Sequence, residues 1–386
     1  MYRLTTEQAA LVARSRDIAE NQIAPHAARV DETSTFPGES VQALAKAGFL
    51  GLTIPAEWGG MGQGPRVVGA VVEEIARRCS STAMIYMMHL AGVACYLAAP
   101  RKPEAALREA AAGRHLSTLA FSEKGSRSHF WAPVSKASRP AQNGSVNVSA
   151  EKSWVTSAGH ADAMAVSTRW DRGTEPLQSM IYLVMRDDPG VSVSGTWNAL
   201  GMRGNQSAPV RLENVALDES SRALCEPGKG FEMMLGVVLP LFHVCQAAIA
   251  LGICEAAITA TQAHLTGAKL EHLDSRLCDL PNLRAQLARM RLMTDRARAH
   301  MVCTLDAMES GRADAQVLVL EIKASASETA VDVTDLAMRC CGGAAFSKHL
   351  GIERVFRDAR AAVVMAPTTD HAHEFLGRAL CGMELF

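Results

Sequence analysis

The spacing of apolar residues divides the chain into three stretches with different periods. Leu11, Val12, Ser15, Ile18, Ala19, Gln22 and Ile23 recur on one face at helical spacing, and Thr5 followed three residues later by Gln8 forms the pattern of a capping box. Pro25 is expected to end or bend this helix. Helices are predicted next over about 40–49, 66–79, 81–98 and 103–112, with the Gly- and Pro-rich segment 54–62 as a loop. Near Leu116 the texture changes to short β-rich runs, at 118–121, 146–149, 163–167, 180–185 and 209–217. Asn143-Gly144, Asp171-Arg172-Gly173 and Asp188-Pro189-Gly190 break them, and strands so spaced predict a small barrel or sandwich. From Phe231 long apolar stripes return over 231–265, 281–309 and 313–340, then over 347–380 with a break at Pro367, which predicts a helical bundle.

The expected fold is therefore α+β and multi-domain. It has an N-terminal α-helical domain over 1–115, a middle β-barrel domain over 116–229 and a C-terminal four-helix-bundle domain over 230–386. Composition narrows the function classes. A net charge of −1 and the lack of a basic block argue against nucleic acid as a partner. No run of 18 or more apolar residues and no signal-like segment after Met1 stand out, so neither a membrane span nor secretion is expected. Ten cysteines lack C-x-x-C spacing, so no metal site is predicted. Cys245, Cys254, Cys303 and Cys381 fall in apolar helical stretches, where free cysteine acts as a small hydrophobe, and a reducing cytoplasmic setting fits them.

Six local motifs in order resemble the acyl-CoA dehydrogenase superfamily. Leu50-Gly51-Leu52-Thr53-Ile54-Pro55 with Trp58-Gly59-Gly60-Met61-Gly62 is similar to a family loop, and Leu119-Ala120-Phe121-Ser122-Glu123-Lys124-Gly125-Ser126-Arg127-Ser128 to its flavin strand. Lys152-Ser153-Trp154-Val155-Thr156-Ser157 resembles "KxWITN", and Leu200-Gly201-Met202-Arg203-Gly204 matches "LGMRG". Arg339-Cys340-Cys341-Gly342-Gly343 is similar to the "QxxGG" segment, and Arg357-Asp358-Ala359 to the "RDA" before the catalytic loop.

The resemblance implies FAD. Leu119, Phe121, Ser122, Trp154 and Thr156 are then expected around the flavin ring, with Thr156 near N5 and Trp154 over one face. Arg127 and Ser128 are expected at the pyrophosphate, and Thr368 and Asp370 at further cofactor contacts. Arg339, Gly342 and Gly343 would receive the ADP part, in this family often from a neighbouring subunit of a homotetramer, a dimer of dimers. The chain departs from the pattern at Lys124, at His129-Phe130-Trp131, and at Leu270 to Asp274, where the family's "RxxFG" is missing. Met84, Met87, Met88 and His89, with Leu239 to Cys245, are expected along the cavity wall.

The largest departure concerns the base. The glutamate of the family's "YEGT" falls on Ala366, and the alternative glutamate position falls on Phe242. A positioned base contributes about 10²–10⁴-fold to proton abstraction, so its loss needs a substitute. His243 is the nearest candidate, because imidazole accepts a proton near neutral pH. Three functions follow. The first is an FAD-dependent oxidoreductase acting on an acyl-CoA or similar thioester without the usual base, passing electrons to O₂ or an electron-transfer flavoprotein. The second is a flavin monooxygenase of the same fold using O₂ on an aromatic or ring-derived substrate, and the third a non-catalytic partner subunit.

Overall fold

A computed structural model describes residues 2–127, 129–139, 145–175 and 177–385. The N-terminal third is helical: α1 (Thr6–Ile18), α2 (Ala24–Thr33), α3 (Gly38–Lys46), α4 (Pro65–Ala76), α5 (Ser80–Ala98) and α6 (Glu104–Ala111). Thr5 caps α1 in a full capping box with Gln8. Pro25 does not stop the first helix. A π-helical turn, Ala19–Ile23, precedes it, and the chain continues into α2 with the proline in the first turn, where no N–H is needed. That wide turn also rotates the face, so Ile23 is buried while Gln22 is exposed.

The middle of the chain forms two three-stranded sheets. Strands β1 (Ser117–Ala120), β3 (Ala163–Arg169) and β4 (Ser179–Met185) pair in the order β1-β3-β4, with β1 parallel to β3. Strands β2 (Ser145–Val155), β6 (Ala208–Asp218) and the short β5 (Val191–Val193), which the sequence pattern did not predict, pair antiparallel in the order β2-β6-β5. An isolated bridge between Glu123 and Lys152 joins the two sheets where β1 ends. The first sheet is buried at nearly every position and rests on α5, whereas β2 alternates buried and open residues.

The last third is a bundle of α7 (Leu239–Gly267), α8 (Pro281–Ser310), α9 (Ala315–Cys341), α10 (Ile352–Val364) and α11 (Thr369–Leu380). Helix α7 lies at its centre, against α4, α5, α8, α9 and α10. It grows without interruption from a short helix, Gly230–Met233, through a second π turn, Met234–Val238, that again comes just before a proline, Pro240. In both places a residue is added to the helix just where a proline removes a donor. Two helices, Ser80–Ala98 and the continuous Gly230–Gly267, are long and apolar enough to cross a membrane, contrary to expectation, but both are mostly buried inside this fold. All ten cysteines are free. Cys245 and Cys254 are core residues, while Cys303 and Cys381, expected to be apolar-packed, are exposed.

The N-terminal helices are held to the bundle by a buried charge network. Arg298 on α8 donates to Glu73 on α4 and to Glu255 on α7, at 2.7 Å each, and the Tyr2 hydroxyl donates to Glu73 at 2.6 Å. Next to it Gly252 allows α7 to touch α4, because a Cβ there would lie 2.6 Å from the Glu73 carbonyl oxygen and 2.9 Å from the Arg77 nitrogen. Replacing a helical glycine by alanine ordinarily gains about 1 kcal/mol of helix propensity. Overpacking against backbone that cannot swing aside costs about 1–3 kcal/mol and wins here. We therefore expect Gly252→Ala to lower the urea midpoint, and an unchanged or raised midpoint would show that the helices separate freely.

Candidate active site

A cleft of about 760 Å³ opens where the strand ends, the turn 197–202, the start of α7 and the end of α10 meet. Its polar edge comes from the strands. After Lys152 the register of β2 against β6 shifts, and the backbone passes through the left-handed region at Trp154 (φ 57°) and at Ser157 (φ 61°). A bulky side chain in that region is a costly outlier, and such strain collects at binding sites. Its result is that Trp154 stands out of the strand, 65% exposed, edge-on to Trp197 at 5.8 Å. Between the two strained residues, Thr156 is turned inward. Its hydroxyl lies 2.9 Å from the Ser207 hydroxyl, which donates to Asn205 Oδ1 at 3.0 Å, and the Thr118 hydroxyl donates to the Thr156 carbonyl at 2.8 Å.

Beneath this edge lies a fully buried ion pair. Lys152 donates to Glu123 at 2.6 Å and to the Ser167 carbonyl. Glu123 also accepts from the backbone N–H groups of Val134 and Ser135 at 2.7 and 2.9 Å, and from the Ser135 hydroxyl. Burial alone would push the Glu123 carboxyl up, but the Lys152 ammonium and these donors hold it below the usual carboxylate range. It is the one carboxylate among the described residues lining the cleft.

The other side of the cleft is apolar. Met84, Met88, Val238, Leu239 and Phe242 face Val364, Met365 and Ala366. The Ala366-Pro367 bond is cis. The turn 200–202 is fastened to α10: Asp358 accepts from Met202 N–H at 2.6 Å, and Arg357, itself paired with Asp31 and Glu353, donates to the Leu200 carbonyl at 3.0 Å. Gly201 is required there, since a Cβ would sit 2.5 Å from the Arg357 carbonyl oxygen. Burial raises the Asp358 carboxyl from 3.8 to about 6, against the pull of the Met202 N–H. Arg360 lines the same cleft with its guanidinium 3.6 Å above the Phe356 ring and bonded to the Thr334 hydroxyl at 2.8 Å.

The structure gathers Leu119, Phe121, Ser122, Arg127, Trp154 and Thr156 in this cleft, with Phe242 and Ala366. Ser128 lies outside the described residues. Other predicted residues fall elsewhere. His243 points away from the cleft: its ring is fully buried, Nδ1 lies 2.9 Å from the Val319 carbonyl oxygen, and burial lowers it to about 3, so it is neutral and turned into the α7–α9 contact. Thr368 is the N-cap of α11, its hydroxyl accepting from His371 N–H at 3.2 Å, and Asp370 is exposed in the first turn of that helix. Arg339, Gly342 and Gly343 sit exposed at the end of α9, outside the cleft lining. Of the expected wall, Met84, Met88, Leu239 and Phe242 line the cleft, whereas Met87 is core. His89 is a cross-link, accepting from Ser117 N–H at 3.1 Å and donating to the Leu50 carbonyl at 2.8 Å. Sequence reasoning missed Asn205, Ser207, Trp197 and Arg360. Only their nearness to "LGMRG" and "RDA" signalled them.

Helices, two sheets and a bundle meeting at one cleft define a three-part enzyme architecture, and comparison with known proteins gives it a family. Models of the acyl-CoA dehydrogenase N-terminal, middle and C-terminal domains match residues 5–102, 118–215 and 228–381 in that order. The chain belongs to the acyl-CoA dehydrogenase family. It is 27% identical over 363 residues to the probable acyl-CoA dehydrogenase YngJ of Bacillus subtilis (strain 168), covering 93% of this chain and 94% of that protein. It is 28% identical over 390 residues to cyclohex-1-ene-1-carbonyl-CoA dehydrogenase of Geobacter metallireducens, covering 98% and 99%. The solved butyryl-CoA dehydrogenase of Megasphaera elsdenii has the same fold, with a TM-score of 0.92 at 21% identity over 98% and 99% of the two chains.

Two outcomes test this geometry. Lys152→Met leaves Glu123 buried and unpaired, which costs about 3–5 kcal/mol. The loss should be greatest near neutral pH and shrink as the pH falls through the carboxylate range, because the wild-type pair itself loses its stabilisation as Glu123 protonates. Urea melts at several pH values read this directly. Asp358 has the opposite sign: its folded value lies above its unfolded one, so wild-type stability falls as pH rises from about 4 through about 6, by on the order of 2–3 kcal/mol. Asp358→Asn keeps an acceptor for Met202 and should remove that slope.

Proposed function

We propose that this protein is an FAD-dependent oxidoreductase acting on an acyl-CoA or related thioester in a cleft whose described lining holds no free carboxylate. The observation that carries this reading is the pairing of Glu123 with Lys152, while Ala366 and Phe242 occupy the two positions where the family pattern places a base. The residues present fit the cofactor. An exposed indole at a strained strand end offers a face to a flat heterocycle, and the Thr156–Ser207–Asn205 hydroxyl chain offers a polar edge beside it. Phe121, Ser122, Trp154 and Thr156 would hold the ring, and Arg127 would meet the pyrophosphate. Arg339, Gly342 and Gly343, exposed at the end of α9, would receive the ADP part from a neighbouring subunit of a homotetramer. Bound FAD supplies a two-electron acceptor.

The chain's own residues then orient the thioester against apolar walls, while no side chain at Ala366 takes the α-proton. His243 has no part in that step, because its neutral ring faces Val319. The α-proton then passes to a water molecule in the cleft, and a substrate whose C–H bond is already acidified by conjugation makes that weak acceptor sufficient. The same lack of a base supports a second reading, a monooxygenase of this fold in which O₂ rather than an electron-transfer flavoprotein reoxidises the cofactor.

Anaerobic titration of the holoprotein with a panel of CoA thioesters, followed by labelled O₂, separates these readings. Bleaching near 450 nm by a thioester supports the oxidoreductase, and label in the product supports the oxygenase. Ala366→Glu should speed flavin reduction by a saturated straight-chain thioester by about 10²–10⁴-fold. A wild type already as fast as that variant would overturn the baseless cleft.

A further inference from the structure

The segment His129-Phe130-Trp131 stands where the family pattern has an aspartate and small residues, and the structure gives it a definite place. Phe130 lines the cleft, its ring nearly parallel to that of Phe121 (13°) with centroids 6.5 Å apart. Trp131 backs it edge-on at 5.1 Å and packs in turn on Phe375 of α11 at 5.6 Å. His129 lies 5.1 Å from Trp131 and 5.1 Å from His371, also on α11. Just past the segment, Glu123 holds Val134 and Ser135 by their N–H groups. The phenyl ring that enters the cleft is thus clamped from the last helix of the bundle on one side and from the buried ion pair on the other. Both Phe130 and Trp131 are buried.

A wall of this kind discriminates by shape. Aromatic rings prefer offset or edge contacts with other rings, each worth about 0.5–1.5 kcal/mol beyond the area they bury. A ring clamped by its neighbours does not swing aside for a longer guest, since moving it would open its contacts with Phe121 and with Trp131, which is itself packed on Phe375. Phe242 adds a third phenyl to the same lining, where the family pattern has an alternative base. Methionines at 84, 88 and 365 adapt to any apolar shape and do not select between guests. Selection therefore falls to the rings.

We infer that Phe130, held by Trp131 against α11, is the specificity-determining residue of the acyl site, and that the site takes a thioester whose acyl group is a flat or alicyclic ring in preference to a straight chain. The inference rests on the thioester reading above.

The test uses FAD-loaded full-length protein, anaerobic, with cyclohexanecarbonyl-CoA and octanoyl-CoA as probes. Dissociation constants come from the perturbation of the flavin spectrum, apart from any turnover. Wild type should bind the ring thioester at least about tenfold more tightly, a difference of about 1.4 kcal/mol. Phe130→Ala should shrink that ratio by about tenfold, chiefly by admitting octanoyl-CoA. Phe130→Leu, which keeps most of the volume, guards against loss of the fold and should shrink the ratio in the same direction, and near-UV circular dichroism reports the aromatic cluster in each protein. A wild-type ratio near one overturns the inference, as does a ratio unmoved in folded Phe130→Ala and Phe130→Leu. Binding of both thioesters without preference leaves the thioester reading standing, whereas binding of neither removes both.

Discussion

The buried pair of Lys152 and Glu123 is the contact on which the site is built. It lies where two sheets would otherwise part, and each partner does more than neutralise the other. The ammonium draws the Ser167 carbonyl of β3 toward β2, and the carboxylate holds the backbone at Val134 and Ser135. Two charges taken out of water are expensive, and the cost is met only when their remaining lone pairs and protons are satisfied, as they are here. What that arrangement secures is position. Trp154 and Thr156 follow Lys152 by two and four residues, in a backbone strained enough to need a fixed support.

Much of the fold was legible because its signals were local. The capping box at Thr5 and Gln8, the long apolar stripes and the β-rich run at 146–149 each arise from a few neighbouring residues and survive folding. Boundaries moved by a few residues, as at α3, which ends at Lys46 rather than Phe49. At Pro25 the helix changes type rather than stopping, for a physical reason. A proline breaks a regular helix, yet a π turn supplies the extra residue that lets the chain continue. Strand β5 escaped notice because three residues against the edge of β6 carry too little pattern.

The site was legible in its strand-borne half and not in its bundle-borne half. Leu119, Phe121, Trp154 and Thr156 lie in contiguous motifs whose backbone direction fixes where they point, so reading them in sequence locates them in space. His243 does not line the cleft, because adjacency in a helix is not adjacency in space. Phe242 and His243 are neighbours in the chain, but successive residues of a helix diverge by about 100°, and only the first faces the cleft. The hydroxyl chain through Ser207 and Asn205 comes from a turn brought to Thr156 by the β2–β6 pairing, which no local pattern announces.

Helix α7 ties two duties together along one rod. Its first turn supplies Leu239 and Phe242 to the cleft, and four turns further on Glu255 enters the charge network with Arg298 and Arg291. A rigid rod would transmit any rotation at one end to the other, so altering the guest would disturb the joint between the helical halves. The π turn at Met234–Val238 sits just before the rod begins, on the far side of Leu239 and Phe242 from Glu255. The wall residue Val238 belongs to that turn and not to the rod, so this part of the cleft can be resurfaced in evolution without changing the helix that carries Glu255.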